Sequence, residues 1–288
     1  MSASQYETSD RTSASTFQLP GLDSTQTLYA SCALAVLLFT LITVLARRKS
    51  KSTRNSVLFV GAPDAGKTAI LSSLAFHQQL PTHASLQTNS SLITLPNVKK
   101  PVQVVDIPGH PRIRVQYRDY FNDAKAIVFV VDASTVSRNG AAVAEHLHQI
   151  LHSFMSISPS QSSPALIILA HKSDLLASTT SSSSTPADQM AINRVRTILE
   201  RELEKRRQSQ AGGMGIESLG GDEGDHTEVS GLECSAVGGS VFRFSDWEGG
   251  EVTFLGTSIS RTGEKVQDEK ANNIGGLEGF QQWLSDLY

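Results

Sequence analysis

The sequence predicts an α/β domain with a mostly parallel central sheet flanked by helices, preceded by one transmembrane helix. Three observations carry this. Four short runs, Val57 to Val60, Pro101 to Val105, Ala126 to Asp132 and Ala165 to Ala170, are almost continuously apolar, as in strands buried on both faces. Apolar residues at helical spacing occupy Ala69 to Leu80, Ala141 to Met155 and Leu277 to Leu287, which suits helices covering a sheet. An uncharged stretch, Leu28 to Ala46, precedes them all.

In chain order, residues 1–27 are rich in Ser, Thr and Gln with no packing period. They predict a disordered lumenal tail. Residues 28–46 then give about 19 uncharged positions, enough to span a hydrocarbon core of ~30 Å. Their only hydroxyl side chains besides Tyr29 are Ser31, Thr40 and Thr43. Arg47, Arg48, Lys49 and Lys51 follow in a basic juxtamembrane linker, 47–55. A cleaved leader would carry its charge before the apolar run. Positive charge after the run keeps residues 56–288 cytosolic. A formal net charge of −3 gives no global attraction to nucleic acid. Two cysteines, Cys32 and Cys234, form no disulfide framework and suit a reducing compartment.

The first strand runs into Gly61-Ala62-Pro63-Asp64-Ala65-Gly66-Lys67-Thr68, a G-x-x-x-x-G-K-[ST] phosphate loop set between strand and helix. Its glycines let main-chain N–H groups turn inward around phosphate oxygens, and the helix N-terminus adds partial positive charge. Gly61, Asp64, Ala65, Gly66, Lys67 and Thr68 are thus candidate nucleotide-binding residues. Lys67 would reach the β- and γ-phosphates, and the Thr68 hydroxyl would bind Mg²⁺. The second strand ends in Asp106-Ile107-Pro108-Gly109-His110. Asp106 is placed to hold Mg²⁺, and Gly109 offers an unhindered N–H for a γ-phosphate.

The fourth strand is followed by His171-Lys172-Ser173-Asp174. Lys172 and Asp174 match the last two fixed positions of an N-K-x-D guanine signature. A carboxylate can accept from the N1–H and 2-amino groups of guanine, a pair adenine lacks, and the lysine stem packs over the base. Leu232-Glu233-Cys234-Ser235-Ala236 supplies a short Ser-Ala element, Ser235 and Ala236, whose N–H would donate to guanine O6.

With the phosphate loop, DIPGH, AIVFVVDA, HKSD and LECSA in this order behind one apolar helix, the chain resembles the β-subunit family of the signal recognition particle receptor. These are Ras-like P-loop GTPases related to Arf and Sar. The resemblance implies GTP or GDP with Mg²⁺, slow intrinsic hydrolysis, and GTP-dependent binding of the receptor's α subunit. Through that partner it implies a role in co-translational targeting at the endoplasmic reticulum membrane, near the ribosome or translocon. Three features depart from the pattern. His171 stands where the signature has asparagine, and an imidazole cannot copy a carboxamide. The switch I metal ligand is open between Ser85 and Thr88. The segment between Asp174 and Glu233 is long. Alternatives are an Arf-like trafficking GTPase of the secretory pathway and a GTP-locked scaffold with negligible hydrolysis.

His110 is the catalytic candidate, able to orient an attacking water, or a switch-loop residue that swings out. Arg112, Arg114 and Arg118 predict a solvated or partner-binding face. Gln116, Tyr117, Tyr120 and Phe121 serve that face or helix packing. His146, His148 and His152 predict solvated positions on their helix rather than a metal site. Pro186 to Gln208 predicts a helix, rich in Arg and Glu, with an exposed charged face. Flexible insertions are expected at 178–230 and 237–276, and within the second Val241 to Leu255, alternating around Gly249-Gly250, suggests a hairpin or an insertion.

Overall fold

The structure, a computed structural model, describes residues 29, 31–40, 54–78, 80–96, 98, 100–158, 161–177, 186–213, 232–234, 241–259 and 276–288. The chain divides into two units, Met1–Ser52 and Thr53–Tyr288. In the first, residues 31–40 are helical and exposed. No helix among the described residues is long and apolar enough to cross a membrane. The remainder of the predicted span and most of the basic linker lie outside the described residues.

The second unit is a six-stranded sheet with helices on both faces. Its strands are β1 (Ser56–Gly61), β2 (Asn89–Ile93), β3 (Val102–Asp106), β4 (Ala124–Asp132), β5 (Ala165–His171) and β6 (Val252–Thr257). Their spatial order is β2-β3-β1-β4-β5-β6. Every pairing is parallel except that of β2 with β3. The helices are α1 (Lys67–Phe76), α2 (Tyr117–Phe121), α3 (Val136–Met155), α4 (Asp174–Ala177), α5 (Ala187–Gly213) and α6 (Glu278–Leu287).

The unbroken apolar runs are explained by two cores, one on each side of the sheet. Successive side chains of a strand point to opposite faces. Leu58 and Val60 therefore join Ile127, Phe129, α2, α3 and α5, while Val57 and Phe59 join Val128, Val130, α1 and α6. The stripe of α6 predicted to pack on the sheet does so: Phe280 and Leu284 are buried, and the Phe280 ring lies 5.9 Å from that of Phe59. α1 ends earlier than its apolar period, at His77, whose left-handed φ of 53° caps the helix with its N–H on the Ser73 carbonyl.

Three expectations are corrected. The Gly249-Gly250 segment forms no hairpin: a 3-10 turn at Phe244–Asp246 precedes β6, which pairs parallel with β5. Part of the second expected insertion is thus the sixth strand. His146 and His148 are buried rather than solvated, because α3 turns them toward the core. Arg114 is buried too, paired with Glu145 of α3. Glu204 of the charged α5 is buried and accepts from the Phe242 N–H at 2.8 Å, holding that aromatic segment on the helix.

Candidate functional site

The site lies at the carboxyl ends of the parallel strands, where the βα loops converge. The phosphate loop leaves β1 at Gly61 and enters α1 at Lys67. Asp64 and Gly66 have left-handed φ values of 57° and 101°, and only glycine takes the second without strain. Ala65 is buried beneath the loop. Lys67 is buried with its ammonium inside the loop's curve, 3.0 Å from the Gly61 carbonyl and 2.8 Å from that of Ala62. Burial pushes its pKa down to about 8, against the opposing pull of Asp106 and Asp64. A buried cation hydrogen-bonded to two main-chain carbonyls is suited to anionic oxygens.

Beside it, Thr68 Oγ1 donates to Asp106 Oδ2 at 2.5 Å and lies 2.9 Å from Ser85 Oγ. Asn89 Nδ2 reaches Ser85 at 3.4 Å. Asp106 is fully buried, and its Oδ1 has no hydrogen-bond partner among the described residues. Burial raises its pKa, with Thr68 and Lys67 opposing. A hydroxyl pair beside a half-satisfied buried carboxylate is an oxygen donor set that fits a small hard cation. Thr88 is not in this cluster; its hydroxyl donates to Gln116 Oε1 at 3.0 Å, joining the loop before β2 to the turn before α2.

Gly109 packs against the phosphate loop so closely that an added Cβ would lie 2.5 Å from Pro63 N and 2.6 Å from Gly61 O. The next residue, His110, is exposed, and its Nδ1 accepts from the Arg112 N–H at 3.3 Å.

Lys172 adopts a φ of 61° and spans the site. Its ammonium donates to the Asp64 carbonyl at 2.8 Å and to Asp132 Oδ2 at 2.7 Å. Desolvation works against the Asp132 carboxylate, but bonds from Lys172 and Ser134 win and hold its pKa below the ordinary value. Asp174 opens α4 and is exposed, free of the core. His171 is buried with Nδ1 3.0 Å from Thr257 Oγ1. Burial pushes its pKa down to about 4.

Ser235 and Ala236 lie outside the described residues; Cys234, just before them, bridges to Trp247. The end of β6, Gly256-Thr257-Ser258, lies beside His171, since His171 pairs in register with Thr257 across β5 and β6. Thr257, Ser258 and the lysine clamp Asp132 were not assigned to the site from sequence. The available signal was Val252 to Leu255, a mostly apolar run closed by Gly256, as the first strand is closed by Gly61.

A family model described as signal recognition particle receptor beta subunit matches residues 52–249. The chain belongs to this family. It is 35% identical over 160 residues to the rat signal recognition particle receptor subunit beta, which covers 55% of this chain and 58% of the relative. The small COPII coat GTPase SAR1 of Encephalitozoon cuniculi is 31% identical over 124 residues, covering 42% and 50% of the two chains. The chain thus spans a little over half the length of the rat relative. A chain from the structure of the mammalian SRP receptor superposes with a TM-score of 0.59 at 25% identity, covering 81% of this chain and all of that one.

Proposed function

We propose that this chain is a membrane-anchored, GTP-binding β subunit of the signal recognition particle receptor. On this reading it binds the receptor's α subunit when loaded with GTP and acts in co-translational targeting at the endoplasmic reticulum, near the ribosome or translocon. Residues 28–46 span the membrane, 1–27 face the lumen, 47–55 are the basic linker, and 56–288 form the cytosolic domain. The observation that carries the nucleotide reading is the buried Lys67 ammonium inside the glycine loop, next to the Thr68–Asp106–Ser85 oxygen cluster.

The roles follow from that geometry. Main-chain amides of the loop and the Lys67 ammonium bind phosphate oxygens. Thr68 and Asp106 hold Mg²⁺, and Ser85 is preferred over Thr88 as the switch I ligand because it already sits on Thr68. Mg²⁺, when bound, neutralises charge on the phosphates. Asp174 accepts from the guanine edge, the Lys172 stem covers the base, and Gly256-Thr257-Ser258 supplies main-chain N–H groups near the purine. His110 orients water for slow hydrolysis. Leu86 (79% exposed), Leu92 (66%), Val115 and Tyr120 present apolar surface on and around the two loops that would respond to the γ-phosphate. That surface supports the partner-binding reading.

The test is to purify the full chain in detergent, extract its nucleotide, and identify it by chromatography. GDP or GTP is expected; ATP, or no nucleotide with no guanine-nucleotide affinity, overturns the reading. Capture of the α-subunit N-terminal domain by GTP-loaded but not GDP-loaded protein tests the partner. Resistance to carbonate extraction, lost on deleting 28–46, tests the anchor.

A further inference from the structure

The polar groups behind the purine end form a continuous chain that ends under the phosphate loop. It begins at Asp188, an exposed residue in the first turn of α5. Asp188 Oδ1 accepts from Ser173 Oγ at 2.6 Å. The same aspartate presses on Gly256, where an added Cβ would lie 2.6 Å from the Asp188 Cβ. Ser173 is buried, and its backbone N–H donates to the Thr257 carbonyl at 3.2 Å. Thr257 turns its hydroxyl to His171 Nδ1 at 3.0 Å. The opposite edge of that imidazole lies beneath Gly66, where an added Cβ would be 2.4 Å from His171 Cδ2 and 2.8 Å from Nε2.

Each link has a distinct physical character. The step from α5 to β6 is made by hydrogen bonds and a close backbone approach. The step from β6 to the phosphate loop is made by a flat, rigid ring packed on a glycine. Van der Waals packing of this kind transmits displacement because a close-packed interior does not compress. Burial keeps the ring neutral, so the packing carries no buried charge.

Resting on the nucleotide-binding reading above, we infer that His171 and Asp188 are positioning residues, a wedge and its surface anchor, which lock the shape of the phosphate loop to the segment at the purine end. Grip on the phosphates then depends on a side chain at the protein surface. Neither residue reads the base. His171 is buried behind Gly66, and Asp188 acts only through Ser173 and Gly256.

The experiment uses the full chain in detergent and the variants Asp188→Ala, Thr257→Val, His171→Ala and the pair Asp188→Ala with His171→Ala. Amide hydrogen exchange is followed over residues 61–68 without added nucleotide, and release of fluorescent GDP and fluorescent IDP is timed. Asp188→Ala should speed both loop exchange and GDP release, the latter about ten-fold, and the pair should release no faster than His171→Ala alone. GDP and IDP, which differ by the 2-amino group, should be affected by the same factor. Unchanged loop exchange in Asp188→Ala and Thr257→Val overturns the inference, as does an additive double variant or a change in the GDP-to-IDP ratio. If His171→Ala does not fold, Asp188→Ala and Thr257→Val carry the same test. If the unaltered protein binds neither nucleotide, the functional reading fails, and loop exchange still decides the mechanical one.

Discussion

Replacing His146 with leucine should stabilise the protein, and more so in mild acid. The imidazole is 1% exposed and stands edge-on to Phe129, with ring centroids 5.5 Å apart. Neither ring nitrogen has a hydrogen-bond partner among the described residues. A buried polar group left unsatisfied costs about 1–3 kcal/mol, and the edge-to-face ring pairing that leucine cannot make is worth about 0.5–1.5 kcal/mol. The expected net gain at pH 7 is therefore about 1 kcal/mol. Burial, reinforced by Arg114 and Lys67, pushes the His146 pKa down from 6.5 to about 3. The unfolded chain thus binds a proton first, so wild-type stability is complete above pH 6.5 and falls as pH drops toward 3. By pH 5 this one group removes about 2 kcal/mol, at 1.36 kcal/mol per pH unit. The leucine variant loses nothing there, and His171 titrates in both proteins and cancels. Denaturant unfolding of the two full-length proteins at pH 7 and pH 5 should show the gap widen from about 1 to about 3 kcal/mol. A less stable variant, or a gap that does not change with pH, would refute the reasoning.

Three further outcomes are expected. Gly109→Ala should force the phosphate loop away from its neighbour, since the new methyl would lie 2.5 Å from Pro63 N; a loss of about 2 kcal/mol or more in unfolding free energy is expected, and a variant of wild-type stability would contradict the packing. Lys67 titrates in the folded protein near 8 rather than 10.5, so the nucleotide-free protein should gain stability as pH rises from about 8 to 10.5, by about 3 kcal/mol at most. Lys67→Met should flatten that slope, and equal slopes would place the ammonium in solvent. Asp174→Ala should weaken GDP about ten-fold or more while leaving IDP less affected, because one charge-assisted bond to the 2-amino group is gone; equal losses for both would remove Asp174 from base recognition.

Much of the central sheet was legible because β1, β3, β4 and β5 are largely buried on both faces and so carry almost continuous apolar runs, broken in β3 only by the exposed Gln103. The phosphate loop and Asp106 were legible because their chemistry demands fixed residues at fixed spacing. β2 was not, since an edge strand reading Asn-Ser-Ser-Leu-Ile buries only Ile93 fully. β6 was hidden by two local signals that pointed elsewhere. Gly249-Gly250 imitates a hairpin turn, and Leu232 to Ala236 already offered a Ser-Ala element, whose Ser235 and Ala236 lie outside the described residues. The sheet order, which puts Thr257 against His171, shows where β6 lies. His146 and Arg114 misled for a common reason. A polar residue beside an apolar stripe reads as solvated, whereas α3 buries a face wide enough to include His146, and Glu145 on the same helix draws Arg114 inward.

The pairing of β5 with β6 also has a consequence for biosynthesis. Leu166 waits for Val252, 86 residues later, which at a synthesis rate of ~5–20 residues per second is about 4–17 s. During that interval the outer margin of β5, an apolar ribbon from Leu166 to Ala170, leaves the ribosome with nothing beside it. A naked ribbon of this kind is a template for stray chains. The newborn protein is therefore most vulnerable to clumping after β1 to β5 have emerged and before its last strand arrives.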